Sequence, residues 1–222
     1  MIIESPFVNF RKIVPCKNLY RTGKSIDGKP HAGFLKTVGI TTYFDLRNLN
    51  KERVAINNRQ YRKYGIEYMC LQIRGNDSCV RRNEFPTESD YVEYYYSLFR
   101  ESKAEWIRLF TMLSSNAQGK FLIGCSFGKD RTGIAVYLLL RLLGKSSEDA
   151  AQDYALSADY LSGNERLRRQ YQYKKQIAFN PTENIILLFD EALMNCYSNI
   201  DALSAELKLD KNRIDTLKRH FL

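Results

Sequence analysis

The chain has 222 residues, 44% of them hydrophobic, enough for a sizeable core, and no internal repeat or low-complexity tract divides it. Lysine and arginine outnumber aspartate and glutamate 34 to 25, and the net charge of +9 suits anionic partners: phosphoproteins, phosphoinositide head groups, a membrane surface or nucleic acid. Five cysteines (Cys16, Cys70, Cys79, Cys125 and Cys196) without a CxxC pair, and two histidines (His31 and His220), support neither a zinc site nor a disulfide framework.

The N-terminus, Met1-Ile-Ile-Glu-Ser-Pro6, lacks the charged start and long apolar core of a secretory signal. Together with the cysteine pattern this places the chain in a reducing, cytoplasmic compartment, with export by an unconventional route left open. Phe10 to Tyr20 and Leu19-Tyr-Arg-Thr-Gly23 read as extended chain or short strands that turn at Gly28-Lys-Pro30. His31 to Val38 suits a short helix closed by Gly39. Ile40 to Leu46 is β-branched and aromatic, hence a strand, and it ends at Asp45-Leu-Arg47. Asp45 and Arg47, two apart, project to one rim of the sheet, either to order a neighbouring loop and touch substrate or simply as a salt-bridged strand end.

Lys51 to Lys63 is a polar helix, and Gly65 to Arg74 alternates well enough for a strand. The charged stretch Gly75 to Thr87 is placed to be a lid, which makes Asp77 and Glu84 candidate proton donors beside the bland reading of a solvated loop. Glu88 to Leu113 has core aromatics at helical spacing, with a break expected near Ser102-Lys103.

The most informative stretch is Lys120-Phe-Leu-Ile-Gly-Cys125-Ser-Phe-Gly-Lys-Asp-Arg131-Thr-Gly133, which runs into the apolar Ile134 to Leu140. It reads as strand, phosphate-sized loop and helix N-terminus. Backbone N–H groups of Ser126, Phe127, Gly128, Lys129, Asp130 and Arg131, curled into a nest, would point at one anion, with the helix dipole behind them. That field favours the Cys125 thiolate. Arg131 returns to the same point with a planar fork for two phosphate oxygens, and Thr132 offers a hydroxyl to the sulfur. A nucleotide-binding G-x-x-x-x-G-K-[ST] loop does not fit, since Gly124 and Gly128 are too close and Asp130 stands where a hydroxyl is needed. The plain alternative is that Cys125 is a small buried hydrophobe at a strand end.

Cys125-Ser-Phe-Gly-Lys-Asp-Arg-Thr-Gly133 resembles the loop of the bacterial tyrosine-phosphatase-like family of cysteine-dependent phosphatases, CxxGKDRTG. Leu19 to Gly23, Gly39 to Arg47, Asp90 to Tyr94, Asp153 to Ser157 and Ile200 to Leu203 resemble its other landmarks in the same order. The resemblance implies Asp130 as the proton donor, no metal or cofactor, and a phosphorylated protein or a phosphoinositide as substrate. Lys129 would be the second cation for additional phosphates. Such loops usually carry histidine before the cysteine and this chain has Gly124, which leaves open a catalytically silent phosphate-binding module; a small-molecule phosphate ester is a further alternative.

Ile134 to Leu140, the longest apolar run, is far shorter than the ~20 residues that span a bilayer. Thr132 to Leu143 suits a buried central helix stopped by Gly144, and Ser146-Ser-Glu-Asp149 starts the next. Arg166 to Lys175, with Tyr171 and Tyr173, is the densest basic run, either a solvated helix face or a grip on anionic lipid or bases. Ile185 to Cys196 is an apolar helix, and Ile200 to Leu222 holds two short helical patterns that imitate a helix-turn-helix. Because this tail also resembles the family's last helices, nucleic acid is not an expected partner. The fold expected is α/β: a mainly parallel central sheet, its order inferred from the resemblance, with helices on both faces and a helical C-terminal third. Residues 1–222 form one domain in this reading, with 160–222 as a helical extension.

Overall fold

The structure is a computed structural model, and it describes residues 5–83, 86–115, 119–163, 167 and 180–222. Glu84 and, apart from Leu167, the basic run of residues 166–175 lie outside the described residues.

Five strands form one sheet: β1 (Arg11–Lys12), β2 (Leu19–Thr22), β3 (Thr42–Asp45), β4 (Glu67–Cys70) and β5 (Phe121–Gly124). Their order is β1-β2-β5-β3-β4; β1 pairs antiparallel with β2 at the edge, and the other pairs are parallel. Parallel strands need crossovers, and helices supply them on both faces. On one face α1 (Ala32–Val38) and α2 (Lys51–Arg62) cover Tyr43 and Leu122 with Leu35 and Tyr61. On the other, α4 (Glu88–Glu101), α5 (Lys103–Ser115), α6 (Asp130–Leu142), α7 (Ser147–Ala155), α9 (Glu183–Tyr197) and α11 (Lys211–Phe221) build the larger core over Phe44, Phe121 and Ile123. The alternation along β5, with Phe121 and Ile123 to one side and Leu122 to the other, is the period-two pattern that sandwiches the strand. Short helices α3 (Ser78–Arg82), α8 (Ser157–Ser162) and α10 (Ile200–Glu206) complete the described elements.

Local chemistry sets the boundaries. Gly39, at φ 86°, sends its N–H back to the last turn of α1. Thr87 and Asp90 form a reciprocal capping box on α4, and Ser146 and Asp149 form another on α7. The helical run from Glu88 breaks at Ser102, whose hydroxyl takes the N–H of Arg74 at 2.6 Å and donates to its carbonyl at 2.8 Å. The alternating stretch from Gly65 keeps a ladder only over Glu67–Cys70, where β3 offers a partner. Along the expected lid, Ser78–Arg82 coils into α3. The α11 face carrying Leu217, His220 and Phe221 packs inward: both rings of the last pair lie against Phe121, and His220 Nε2 sits 3.1 Å from the Gly119 carbonyl. Among the described residues no helix is long and apolar enough to cross a membrane.

Candidate active site

β5 ends between two parallel neighbours, with Gly124 in register with Thr22 on one side and Asp45 on the other. The chain then turns over the strand ends into α6, the place where parallel α/β sheets present their ligand sites. Gly124 has no room for a side chain, since a Cβ there would stand 2.6 Å from Thr22 Cγ2 and 2.9 Å from the Tyr43 hydroxyl. Gly128 adopts φ +66°, and a Cβ on it would meet the Thr22 carbonyl carbon at 2.5 Å. Only glycine lets the loop lie this close to β2.

Four carbonyls at the strand end and in the loop are held by surrounding groups. Gly124 O accepts from Leu46 N at 2.7 Å and Ser126 O from Lys24 N at 3.0 Å. Phe127 O and Gly128 O accept from Asn9 Nδ2 at 3.2 and 3.0 Å, and Gly128 O also from Arg21 Nη2 at 2.7 Å. The Cys125 N–H still donates to Thr22 O at 3.3 Å across the strand pair, but beyond it a trans peptide opposes C=O and the following N–H, so the held carbonyls of Ser126, Phe127 and Gly128 turn the N–H groups of Phe127, Gly128 and Lys129 the other way.

Ser126 and Arg131 line a cavity of about 650 Å³ together with Arg47, Arg74, Asp77, Arg81 and Tyr94. Cys125, 3% exposed, is set back from that lining on the Ile123 side of the sheet. Burial alone would lower the Arg131 guanidinium, but the Cys125 sulfur, Tyr94 and Asp130 outweigh it and hold Arg131 above its ordinary value.

The remaining expected residues divide. Asp45 is fully buried and holds Arg47 through two parallel bonds, Oδ1 to Nε at 2.8 Å and Oδ2 to Nη2 at 2.6 Å. It is the anchor and Arg47 the group that reaches the cavity. Lys129 does not reach the cavity lining. It is 2% exposed, pairs with Asp130 at 2.9 Å and lies 4.3 Å from the centre of the Tyr91 ring. Beside Arg131, the cations on that lining are Arg47, Arg74 and Arg81. Phe127 packs beside Val8, Leu161 and Leu167. The buried Thr132 hydroxyl has no hydrogen-bond partner among the described residues, so the bond expected to the sulfur is not formed here.

Asp130 accepts from Tyr95 at 2.7 Å. Burial would raise its pKa, but Lys129, Tyr95 and Arg131 together hold it below the usual carboxylate range, and the group is ionised in the free protein. Of the other two acids, Asp77 lines the cavity and pairs with Arg81, while Glu84 lies outside the described residues. Sequence reasoning treated Tyr94 as core and gave Asn9, Arg21 and Asp153 no role at the loop. The available signal was an arginine inside an otherwise half-apolar strand, Leu19-Tyr-Arg-Thr, where a charge is stable only if paired.

A model of the tyrosine phosphatase family matches residues 8–222. The chain belongs to the tyrosine phosphatase family. Among curated proteins of the family's activity, a tyrosine-protein phosphatase from Nostoc commune is 28% identical over 130 residues, 58% of this chain, and the match spans 44% of that protein's length. Among solved structures, the core catalytic domain of the PP-IP phosphatase SIW14 from S. cerevisiae is 14% identical, with 90% of this chain and 96% of that one covered and a TM-score of 0.47. TpbA from P. aeruginosa is 11% identical over 85% of this chain and 99% of its own, with a TM-score of 0.35.

Proposed function

We propose that this family member hydrolyses phosphate monoesters through a cysteinyl-phosphate intermediate. The single observation that carries the reading is the loop between β5 and α6. Its Ser126, Phe127 and Gly128 carbonyls are held from outside by Lys24, Asn9 and Arg21, and Ser126 and Arg131 at its two ends line one cavity. In the first step the Cys125 thiolate attacks phosphorus; an S–P bond forms and the ester P–O bond breaks. Inward N–H groups and Arg131 stabilise the charge gathering on the equatorial oxygens. The leaving oxygen takes a proton from Asp130, whose carboxylate picks that proton up from solvent when a bound phosphate dianion offsets Lys129 and Arg131. In the second step water attacks phosphorus, the S–P bond breaks with the sulfur leaving as thiolate, and Asp130 receives the water's proton; departure of phosphate, and of that proton to solvent, restores the free protein.

Asp77 is a second candidate for the proton donor, because it lines the cavity and Asp130 does not. Asp130→Asn and Asp77→Asn, compared on aryl phosphates of rising leaving-group pKa, separate the two: the donor's removal costs most on the poorest leaving group.

Three arginines beyond Arg131 favour substrates with several anionic groups, such as a phosphopeptide with acidic neighbours or a phosphoinositide, over a small monoester. Side-by-side kcat/KM on the three classes ranks them. Cys125→Ser tests the reaction itself: turnover should fall at least about a thousandfold with oxyanion binding retained. Retained turnover refutes the mechanism, and oxyanion binding without turnover in the unsubstituted chain identifies a silent phosphate-binding module.

A further inference from the structure

Below the phosphate loop lies a buried polar cluster that no step above uses. Arg21 is fully buried in β2, and Asp153, in α7, is 6% exposed. Arg21 Nη1 pairs with Asp153 Oδ2, and its Nη2 donates to Gly128 O at 2.7 Å. Arg11, also buried, donates through Nη2 to the Asp153 carbonyl at 2.5 Å and to Ser157 Oγ at 3.2 Å, while its Nη1 pairs with Asn9 Oδ1. Asn9 in turn donates to Phe127 O and Gly128 O.

Two guanidiniums share one carboxylate in this cluster. Burial, then the neighbouring Arg21, pulls Arg11 down to about 9, against the opposing pull of Asp153, so Arg11 keeps its charge at neutral pH. Among the described residues the cluster sets two buried guanidiniums against one carboxylate, out of water, where an unbalanced charge is costly. The missing anion has a natural place on the other side of the loop. Gly128 C=O and Lys129 N–H belong to one peptide unit. A guanidinium on that oxygen polarises the unit and makes its N–H a stronger donor toward the nest.

Resting on the phosphatase reading of the loop, we propose that Arg21 and Asn9 are positioning residues for phosphate binding. They fix the Gly128–Lys129 peptide with its N–H toward the bound anion, and Arg11 and Asp153 hold them in place. Neither side chain touches the substrate; both act through the loop.

The test uses the full chain with Cys125→Ser as parent, so that tungstate binding, measured by calorimetry, is independent of turnover. Asn9→Gly removes both bonds to the loop carbonyls, and the one accepted from Arg11, while tolerating the φ of 53° at that position. Arg21→Gln keeps a donor and removes the charge; Arg21→Lys keeps the charge. Near-ultraviolet circular dichroism and the melting transition identify the variants that retain the fold.

Asn9→Gly and Arg21→Gln should each weaken tungstate about tenfold or more, the scale of one charge-assisted hydrogen bond, and Arg21→Lys should recover part of the loss. Folded variants that bind tungstate as tightly as the parent overturn the proposal, as does Arg21→Lys binding no better than Arg21→Gln. If Arg21→Gln does not fold, Asn9→Gly decides alone. A parent that binds no tungstate overturns this proposal and the nest together. Tungstate binding that Asn9→Gly weakens, beside an unsubstituted chain with no phosphatase turnover, keeps this proposal and refutes the catalytic one.

Discussion

Tyr95 donates its hydroxyl to Asp130 Oδ1 at 2.7 Å, from the interior of α4 to the first residue of α6, and receives the Tyr154 hydroxyl at 2.5 Å. After the Lys129 charge, the Tyr95 bond is the next cause that keeps this acid ionised. Asp130 is held below its ordinary 3.8 against the raising effect of burial. A carboxyl depressed by folding contributes stability that is present above the unfolded value and lost as pH falls through the lower folded one. Tyr95→Phe removes one of the groups that depress it, so the folded value rises and this contribution shrinks. Urea midpoints followed from about pH 5 to 2 should decline at higher pH in Tyr95→Phe than in the unsubstituted chain, and less steeply in Asp130→Asn. Identical acid limbs in all three would show that Asp130 is not coupled to Tyr95.

Asp45 is the fully buried partner of Arg47 and also accepts from the Tyr68 hydroxyl at 2.7 Å. Asp45→Asn strips the charge and leaves a partly buried guanidinium without its counterion. The expected loss is on the order of 3 kcal/mol in urea unfolding, with a higher KM for anionic substrates as Arg47 loses its anchor. A loss below about 1 kcal/mol would class the pair with surface ion pairs.

Restoring a histidine before the nucleophile should harm this chain. A Cβ on Gly124 would press on Thr22 and the Tyr43 hydroxyl at 2.6 and 2.9 Å, both on buried side chains. Even Gly124→Ala should cost about 1–3 kcal/mol, read as a fall in melting temperature of roughly 2–4 °C per kcal/mol. A Gly124→His variant as stable as its parent would mean the strand end yields more easily than its packing implies.

Thiol chemistry should be selective. Burial and then Asp153 push the Cys16 thiol up to about 12, burial and then Asp45 push Cys70 up to about 11, and burial raises Cys79. These remain protonated and unreactive near neutrality. Iodoacetate at pH 7 should inactivate through Cys125 with phosphate protecting it, whereas the exposed Cys196 is modified without loss of activity. Peptide mapping decides: inactivation that tracks label on Cys16 or Cys196 removes Cys125 from the mechanism.

What the sequence made legible was local. Spacing identified the strand-loop-helix around Cys125, and glycines and capping residues marked where α1 and α7 end or begin, because backbone conformation is dictated by neighbours in the chain. The direction of Lys129 was not legible: its two holders are an adjacent aspartate and the ring of Tyr91, brought in by a helix that closes over the loop. Tyr94 looked like core because its helical spacing is that of a core face, and it is 8% exposed, yet its hydroxyl reaches Arg131 at the cavity. A period identifies the buried face of a helix and not the polar tip of one side chain on it.

The bonds that shape the loop span the whole molecule. Asn9 and Arg21 reach Gly128 across 119 and 107 positions, and Arg21 meets Asp153 across 132. A nonapeptide with the same motif, or a fragment ending before α7, would carry every group thought to meet the phosphate and still be poorly organised to hold it. Oxyanion affinity should therefore appear late in refolding, once the two ends of the chain have met, and serve as a readout of completed assembly.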